Sequence, residues 1–301
     1  MEVVSIEDIR ELLVLNQFEL KNYVYEYLSS IFDKDKITNT EGYVYAEGKI
    51  PVLLVAHLDT VHKSKPDTIL FDEEQQMLWS PQGIGGDDRC GVYAILQILK
   101  NYKPYVLFPT NEEIGGLGTQ KFVEDFETLP VNFIIEIDRR GVGQSVYYNC
   151  GNETFKFFID SLGFEENYGS FSDISILSPA YDIASVNLSA GYYNEHTQEE
   201  YINLNHLNYT KRIIEGILIA MQDEENKEAL KFDYQEKKYY TTLYDDFSYY
   251  SKNNKHKDDV IKLFQDDFEN MTNADWFYYY GFRKPAKFKQ AKKLLYEYGF
   301  L

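Results

Sequence analysis

The sequence of 301 residues has only two cysteines, Cys90 and Cys150. Two cysteines cannot form the disulfide framework of a small secreted domain, and neither belongs to a CxxC pair. No window approaches the roughly 20 apolar residues of a membrane span. The first residues, MEVVSIEDIRELLVLNQFEL, are acidic where a secretory signal peptide needs a basic region. These absences predict a cytoplasmic protein.

Basic residues are also scarce, since 30 Lys and Arg stand against 49 Asp and Glu for a net charge of −19. Nucleic acids and anionic membranes bind basic surfaces, so we expect neither as a partner. The excess of acid lies in residues 1–222, which hold 34 acidic and 16 basic residues. Residues 223–301 are nearly balanced, with 15 acidic and 14 basic.

Apolar residues are abundant, at 44% hydrophobic and 16% aromatic. The length suits one large α/β domain with an appendage, or two ordinary domains. The composition changes near residue 225, because residues 226–301 hold 11 of the 27 Tyr and end in a basic helical stretch. We therefore predict a catalytic domain over residues 1–225 and a helical, Tyr-rich extension over residues 226–301.

Strand-like and helical segments alternate along the predicted domain. Residues 6–32 have helical spacing of apolar residues, with Ser5 as the N-cap. The segments IPVLLVA, YVLFPT and VNFIIEID are apolar strands, separated by helical segments such as CGVYAILQILKNY and GTQKFVEDF. Apolar strands of this kind are typical of parallel sheets that are covered on both faces. The pattern predicts an α/β fold with a mostly parallel, mixed central sheet and helices on both faces.

Polar side chains follow three of the apolar strands, and two further polar motifs, GIGGDDRCG and GYYNEHTQEEY, lie in turn-rich segments. Ligands of such sheets bind at the carboxyl ends of the strands, so we expect these side chains to share one crevice. The candidates are His57, Asp59, Asp87, Asp88, Glu112, Glu113, Asp138 and His196.

The residue types in this set are those of a metal site. Two imidazoles with three or more carboxylates suit zinc, and an excess of carboxylates suits two ions bridged by one of them. His57 and Asp59 lie on the same face of a strand, where the carboxylate can orient the imidazole. Of the adjacent Glu112 and Glu113, one can bind metal while the other takes a proton from water.

The order HxD … GGDDRxG … NEEIGG … D … H resembles the co-catalytic di-zinc exopeptidases, the clan that includes peptidase T, carboxypeptidase G and the single-domain zinc aminopeptidases. The resemblance covers roughly residues 50–210, and five separate motifs occur in the right order. It implies a zinc-exopeptidase-like fold with two divalent ions. The ions implied are Zn²⁺ first, with Co²⁺ or Mn²⁺ as alternatives.

The resemblance also implies the roles of individual residues in this sequence. His57 and Asp138 would complete one metal, Glu113 and His196 would complete the other, and Asp87 would bridge the two. These are the five expected ligands.

Two further residues receive catalytic roles from the resemblance. Glu112 is the implied general base, and Asp59 is the residue that orients His57. A cis peptide bond between Asp87 and Asp88 is implied as well.

The implied function is zinc-dependent hydrolysis of an amide bond in short peptides, by an aminopeptidase or a dipeptidase. Another amidohydrolase, acting on N-acyl amino acids or γ-glutamyl chains, stays open because the same metal pair serves any scissile amide. A third alternative is a metal-binding scaffold that recruits a partner through its tail.

The spacing of the motifs leaves no room for an inserted lid domain. Only 30 residues separate His57 from Asp87, and the 58 residues between Asp138 and His196 are needed to finish the sheet. Substrate selectivity must then come from local loops or from residues 226–301. That extension is also the candidate contact of a homo-oligomer.

A few polar residues outside these motifs have roles of their own to consider. Arg139 and Arg140 could bind a substrate carboxylate or pair with the surrounding acid. His62 is expected at the surface and His206 packed in or capping a helix. Residues 170–173, SFSD, are expected to cap a helix near the cleft.

Overall fold

The computed structural model describes residues 5–234 and the single positions 269, 287 and 289. The chain divides into two compact units, one of Met1–Asp160 and Phe164–Glu236 and the other of Ser161–Gly163 and Lys237–Leu301. Most of the predicted extension, 226–301, lies outside the described residues. Its helical character and its part in an oligomer therefore stay predictions.

Residues 5–234 form eight α-helices, twelve strands and a short 3-10 helix at Lys34–Lys36. The helices are α1 (Ile6–Leu13), α2 (Gln17–Ile31), α3 (Gly86–Ile98), α4 (Leu117–Asp125), α5 (Glu153–Asp160), α6 (Ile174–Tyr181), α7 (Leu204–Ala220) and α8 (Glu224–Ala229). The strands are β1 (Ile37–Asn39), β2 (Tyr43–Ala46), β3 (Ile50–Val55), β4 (Leu70–Asp72), β5 (Met77–Trp79), β6 (Pro104–Pro109), β7 (Phe133–Arg139), β8 (Gln144–Val146), β9 (Glu165–Glu166), β10 (Ser185–Ser189), β11 (Tyr192–Tyr193) and β12 (Tyr201–Asn203). No helix in this part of the chain is long and apolar enough to cross a membrane.

The N-terminal helix expected over residues 6–32 is two helices. Ser5 caps the first, since its Oγ accepts the N–H of Asp8 at 3.2 Å. The chain then breaks at Asn16, whose Oδ1 accepts the N–H of Glu19 while the Glu19 carboxylate accepts the N–H of Asn16, both at 2.9 Å. This reciprocal capping starts α2 and outweighs the continuous apolar spacing from which one helix was predicted.

The main sheet has eight strands in the order β1-β2-β6-β3-β7-β10-β8-β9. The four central strands, β6, β3, β7 and β10, are parallel to their neighbours within that group. Antiparallel pairs join β1 to β2, β2 to β6 and β8 to β10. The predicted mixed sheet with a parallel centre is confirmed.

Helices cover both faces of this sheet. Ile134 on β7 packs in one core cluster with Phe122 of α4 and Ile174 of α6. Its neighbour Phe133 points to the other face, where its ring centroid lies 5.7 Å from that of Phe155 on α5. Because β7 is buried on both faces, its sequence is apolar up to the residues that enter the crevice.

A second sheet, of four antiparallel strands in the order β11-β12-β5-β4, joins two distant parts of the chain. Its β4–β5 hairpin lies between His57 and Asp87 in the sequence. Its other two strands flank His196. The small sheet therefore fixes the segment that bears His196 against the segment that leads to Asp87.

The last described residues of the first unit pack against its core. Phe232 is buried, and its ring centroid lies 5.0 Å from that of Phe155. The N–H of Ala184 donates to the carbonyl of Phe232 at 3.0 Å. The domain boundary near residue 225 stays a prediction, but the chain as far as Asp233 continues this packing.

Phe122 is the centre of an aromatic cluster on the α4 face. Its ring centroid lies 5.2 Å from that of Tyr43, 5.0 Å from that of Tyr45 and 4.8 Å from that of Phe126. The side chain is fully buried. We expect Phe122→Ala to lower the free energy of unfolding by about 3–5 kcal/mol, because the cavity cannot be refilled by such large neighbours.

Urea denaturation followed by circular dichroism measures this loss. Phe157→Ala is the matched control, since Phe157 is 63% exposed. The control should change the free energy of unfolding by about 0.5 kcal/mol or less. Equal effects of the two substitutions would contradict the central position of Phe122.

Candidate metal centre

Five loops or strand ends bring the expected ligands together. His57 follows β3, Glu113 follows β6, and Asp138 lies at the end of β7. Asp87 lies at the start of α3, where Asp87 and Asp88 are not helical, and His196 lies between β11 and β12. The carboxyl ends of the parallel strands and the small second sheet thus meet in one crevice.

Asp87 lies between the two imidazoles. Its Oδ1 is 3.0 Å from Nε2 of His57, and its Oδ2 is 3.2 Å from Nε2 of His196. On the first side, Asp138 Oδ1 lies 3.5 Å from the same His57 nitrogen. On the second side, Glu113 Oε1 lies 3.0 Å from the His196 nitrogen. Each oxygen of Asp87 therefore faces its own set of one imidazole and one further carboxylate.

Asp59 links the first imidazole to the loop of the two glutamates. Its Oδ1 lies 3.3 Å from Nδ1 of His57, the nitrogen that does not face Asp87. The same oxygen accepts the N–H of Glu112, and Oδ2 accepts the N–H of Glu113, both at 3.0 Å. One carboxylate therefore lies against the imidazole and accepts both N–H groups of the glutamate pair.

The burial of so many carboxylates changes their pKa values. Burial raises the pKa of Glu112 to about 9 and that of Glu113 to about 7, and the charges of neighbouring carboxylates act in the same direction. Burial also raises the pKa of Asp138, to about 6. For Asp87 burial is overcome, because hydrogen bonds with His196 and His57 hold its pKa well below its usual range.

The pKa values of both imidazoles are raised as well. The pKa of His57 is raised well above its ordinary value, because Asp138, Asp59 and Asp87 outweigh its burial. The contact with Asp87 raises the pKa of His196 to about 9, against the effect of burial and together with Glu113. A crevice that collects negative charge and draws protons onto its imidazoles is one that a cation would stabilise.

The donor set fits divalent ions. Ligand atoms of His57, Asp87 and Glu113 all lie within 4.8 Å of one another, as do those of His57, Asp88 and Asp138. The resemblance assigns the bridging role between the two ions to Asp87 and not to Asp88. Its Oδ1 accepts the N–H of Gly91 at 2.9 Å, whereas its Oδ2 is buried without a hydrogen-bond partner among the described residues. Among the described residues, Asp87 is the carboxylate with one oxygen facing each imidazole.

The peptide bond between Asp87 and Asp88 is cis, as the resemblance implies.

Several supporting residues were not predicted from the sequence. The hydroxyl of Tyr192 donates to the carbonyl of Asp138 at 2.9 Å and lies 3.1 Å from its Oδ1. Asn187 Oδ1 accepts the N–H of Asp138 at 2.9 Å. The buried Arg89 donates to the carbonyl of Asp59 at 2.7 Å, and the buried Glu200 accepts the N–H of Asp87 at 2.9 Å. These contacts join residues far apart in sequence, so no local pattern signals them.

The two arginines after Asp138 pair with other side chains. Arg140 Nη1 lies 2.6 Å from Oε1 of Glu195, and Arg139 Nε donates to Gln144 Oε1 at 3.2 Å. Pairing with nearby acid, the alternative for these residues, is therefore observed for Arg140. Among the described residues, neither arginine forms a side-chain hydrogen bond or ion pair with a candidate ligand.

The predictions for the remaining histidines had different outcomes. The expectation of a surface position for His62 is wrong, because its side chain is 13% exposed and its Nε2 lies 2.7 Å from Glu200 Oε2. His206 packs as expected, with its Nδ1 at 2.6 Å from the hydroxyl of Tyr193. Among the described residues, the His206 side chain forms no hydrogen bond or ion pair with a candidate ligand.

The SFSD segment leads into α6, but the Asp173 side chain makes no capping hydrogen bond. Asp173 has helical backbone angles, φ −56° and ψ −31°, whereas an N-cap side chain reaches back to the helix from an extended residue. Glu136 takes over this role. Its carboxylate accepts the N–H groups of Asp173 and Ile174, at 3.2 and 3.4 Å.

Asp173 is buried, and neither of its carboxylate oxygens has a hydrogen-bond partner among the described residues. Burial raises its pKa from 3.8 to about 7. Between those values the folded protein keeps a proton that the unfolded chain has lost, so the free energy of unfolding falls as pH rises. The titratable groups that influence Asp173 or are influenced by it are His57, Asp59, Glu112, Glu136 and Asp138.

We expect Asp173→Asn to become more stable relative to the wild type as pH rises from about 4 to about 7. The slope removed is up to about 1.4 kcal/mol per pH unit. Urea denaturation of the chelator-treated proteins at several pH values measures it. Asp67→Asn, at an exposed position, is the control, and a difference between wild type and Asp173→Asn that is constant with pH would contradict the prediction.

Comparison with known proteins supports the architecture. No family model matches the sequence, and no curated protein matches it in a sequence search. A tripeptidase from Staphylococcus aureus subsp. aureus Mu50 matches by structure with a TM-score of 0.58 and 15% identity, over 72% of this chain and 98% of that one. Aminopeptidase PepT from Bacillus cereus ATCC 10987 matches with a TM-score of 0.58 and 11% identity, over the same shares, 72% and 98%.

A third solved structure is an aminopeptidase from the archaeon Desulfurococcus kamchatkensis. It matches with a TM-score of 0.53 and 16% identity, over 75% of this chain and 97% of that one. The chain shares its fold with these peptidases. The fold class predicted from the strand pattern and from the motif order is therefore confirmed.

Proposed function

We propose that the protein is a metallo-exopeptidase that hydrolyses an amide bond in short peptides, with two divalent ions, first of all Zn²⁺. The observation that carries the proposal is the position of Asp87, with one oxygen facing each of two sets of an imidazole and a carboxylate. A single structural ion would need only one such set. The fold shared with a tripeptidase and two aminopeptidases is consistent with the proposal.

Five residues would hold the ions. His57 and Asp138 would hold one, Glu113 and His196 the other, and Asp87 both. When bound, such a pair supplies Lewis acidity and a nucleophilic water at neutral pH.

Glu112 is the residue best placed to move the proton. Its N–H donates to Asp59 Oδ1 at 3.0 Å, which holds its backbone beside the five proposed ligands. It would take a proton from the attacking water and give it to the leaving amine. Burial raises the pKa of Glu112, and cations bound in the crevice would lower it again. The two effects together would let Glu112 both accept and donate a proton near neutral pH.

The charge of the crevice favours a free amino terminus over a free carboxyl terminus. Among the described residues, no Lys or Arg forms an ion pair with the five candidate ligands. Arg139 and Arg140, the nearest cations in sequence to Asp138, contact Gln144 and Glu195 instead. A carboxypeptidase needs a cation for the substrate's carboxylate. An aminopeptidase needs acid for the substrate's ammonium group, and acid is abundant here.

A hydrolysis panel tests the proposed function. The purified full chain is stripped with a chelator, reloaded with Zn²⁺, Co²⁺ or Mn²⁺, and offered dipeptides, tripeptides, aminoacyl anilides, N-acyl amino acids and polyglutamate. We expect turnover of substrates with a free amino terminus that is lost on chelation and restored by the metal. Turnover restricted to N-acyl or γ-glutamyl substrates would favour the other amidohydrolases, and two bound ions without any turnover would favour the scaffold.

The two adjacent glutamates should differ on substitution. Glu112→Gln should keep both ions and lower kcat by about 10²–10⁴-fold, since a positioned general base contributes that much. Glu113→Gln should bind one ion fewer than the wild type, because it replaces a charged carboxylate ligand by a neutral amide. Metal content by atomic emission, together with kcat, separates the two results, and reversed phenotypes would refute this division of roles.

A further inference from the structure

Glu200 is a buried acid that the function proposed above does not use. It is 1% exposed and lies four residues after His196. Its carboxylate reaches the loop that bears Asp87, where Oε1 accepts the N–H of Asp87 and Oε2 accepts the N–H of Gly85, both at 2.9 Å. Oε2 also lies 2.7 Å from Nε2 of His62. Both oxygens are thus engaged, so Glu200 is not itself a candidate ligand.

The loop around these contacts is shaped to admit the two side chains. A Cβ added to Gly86 would lie 3.2 Å from Glu200 Oε1 and 2.8 Å from Ile202 Cγ1. A Cβ added to Gly83 would lie 2.3 Å from the His62 ring. Glycine at both positions therefore leaves the space that the carboxylate and the imidazole occupy.

We infer that Glu200, supported by His62, is a positioning residue for the metal pair: it holds the backbone of Asp87 so that the two carboxylate oxygens face the two imidazoles. The inference rests on the proposed function. It adds a residue that acts on the ions only through Asp87 and through the segment that it shares with His196. An outer residue of this kind typically changes metal affinity or activity by about 10–100-fold.

The two ions should depend on Glu200 unequally. The ligands of the first set have their own supports, since Asp59 contacts His57, and Tyr192 and Asn187 contact Asp138. In the second set, His196 is 49% exposed at its side chain and has a left-handed backbone, φ 63°. That conformation is unfavourable for a residue with a side chain and persists only where the surroundings hold it. Glu200 fixes the same segment just beyond it.

The main experiment compares Glu200→Gln with Glu199→Gln in the full chain. Glu199 is the adjacent acid, and it is exposed, so its substitution makes the same change in charge without touching the loop. Hydrogen exchange by mass spectrometry on the chelator-treated proteins follows residues 83–89. Co²⁺ titration by visible absorption then follows the two ions separately.

We expect Glu200→Gln to speed exchange at the amides of Gly85 and Asp87. We also expect it to weaken binding of the second Co²⁺ by about 10–100-fold while the first binds nearly as in the wild type. The loss of turnover should appear in kcat more than in KM, because the ion pair rather than the substrate contacts is displaced. Glu199→Gln should match the wild type in all these measurements.

A second pair of variants keeps the inference testable if Glu200→Gln does not fold. His62→Leu removes the ring nitrogen that contacts Glu200, whereas His62→Gln keeps an N–H at nearly the same place. We expect His62→Leu to lower the affinity for the second Co²⁺ and His62→Gln to keep most of that affinity. A merely structural role would lower the unfolding temperature without separating the two ions and without this rescue.

The outcomes distinguish the inference from the function on which it rests. A wild-type chain that binds no pair of ions overturns the proposed function, and the role of Glu200 toward the ions with it. A wild-type chain that binds two ions, with both affinities unchanged in Glu200→Gln or His62→Leu, overturns the inference alone. Faster exchange without any change in metal affinity overturns it as well.

Discussion

The crowding of buried carboxylates at the ends of β3, β6 and β7 is the constraint on which the rest of the structure depends. Carboxylates at such distances repel, and burial makes the repulsion costly, so the crevice needs compensating charge. Asp87 stays ionised because an imidazole faces each of its oxygens. Backbone N–H groups supply further partial positive charge. Those of Glu112 and Glu113 donate to Asp59, and that of Asp173, at the start of α6, donates to Glu136. The neighbouring loops are arranged so that their donors point at this acid.

The central sheet and the site's main residues were accessible from the sequence because they follow local rules. An apolar strand such as β3 is recognised from consecutive residues, and the parallel arrangement then places the strand ends, including His57 and Asp138, in one crevice. The resemblance of the motif order to the co-catalytic di-zinc exopeptidases adds Asp87 and His196, which come from segments outside the central strands. Each of these inferences needs only a few neighbouring residues at a time.

The supporting contacts were not accessible, because they depend on residues that the fold alone brings together. Nothing in QEEY distinguishes the buried Glu200 from the exposed Glu199. His62 was expected at the surface, and the partner that buries it, Glu200, lies 138 residues away in the sequence. The start of α2 was missed for another reason. The box formed by Asn16 and Glu19 is a local signal, but one helix was predicted from the apolar spacing alone. Distant tertiary partners and competing local signals thus limit what could be predicted from the sequence.

The second sheet has a consequence for when the site is assembled. Strand β12 pairs with β5, so residue Ile202 meets Leu78 only after a long stretch of intervening chain has been made. A growing chain that ends before β11 contains one imidazole of the crevice and four of the five proposed ligands, but the second imidazole is missing. Closing so long a loop is entropically costly and is compensated only when both sheets are complete. The order of synthesis therefore withholds a complete ligand set from every unfinished chain that stops short of His196.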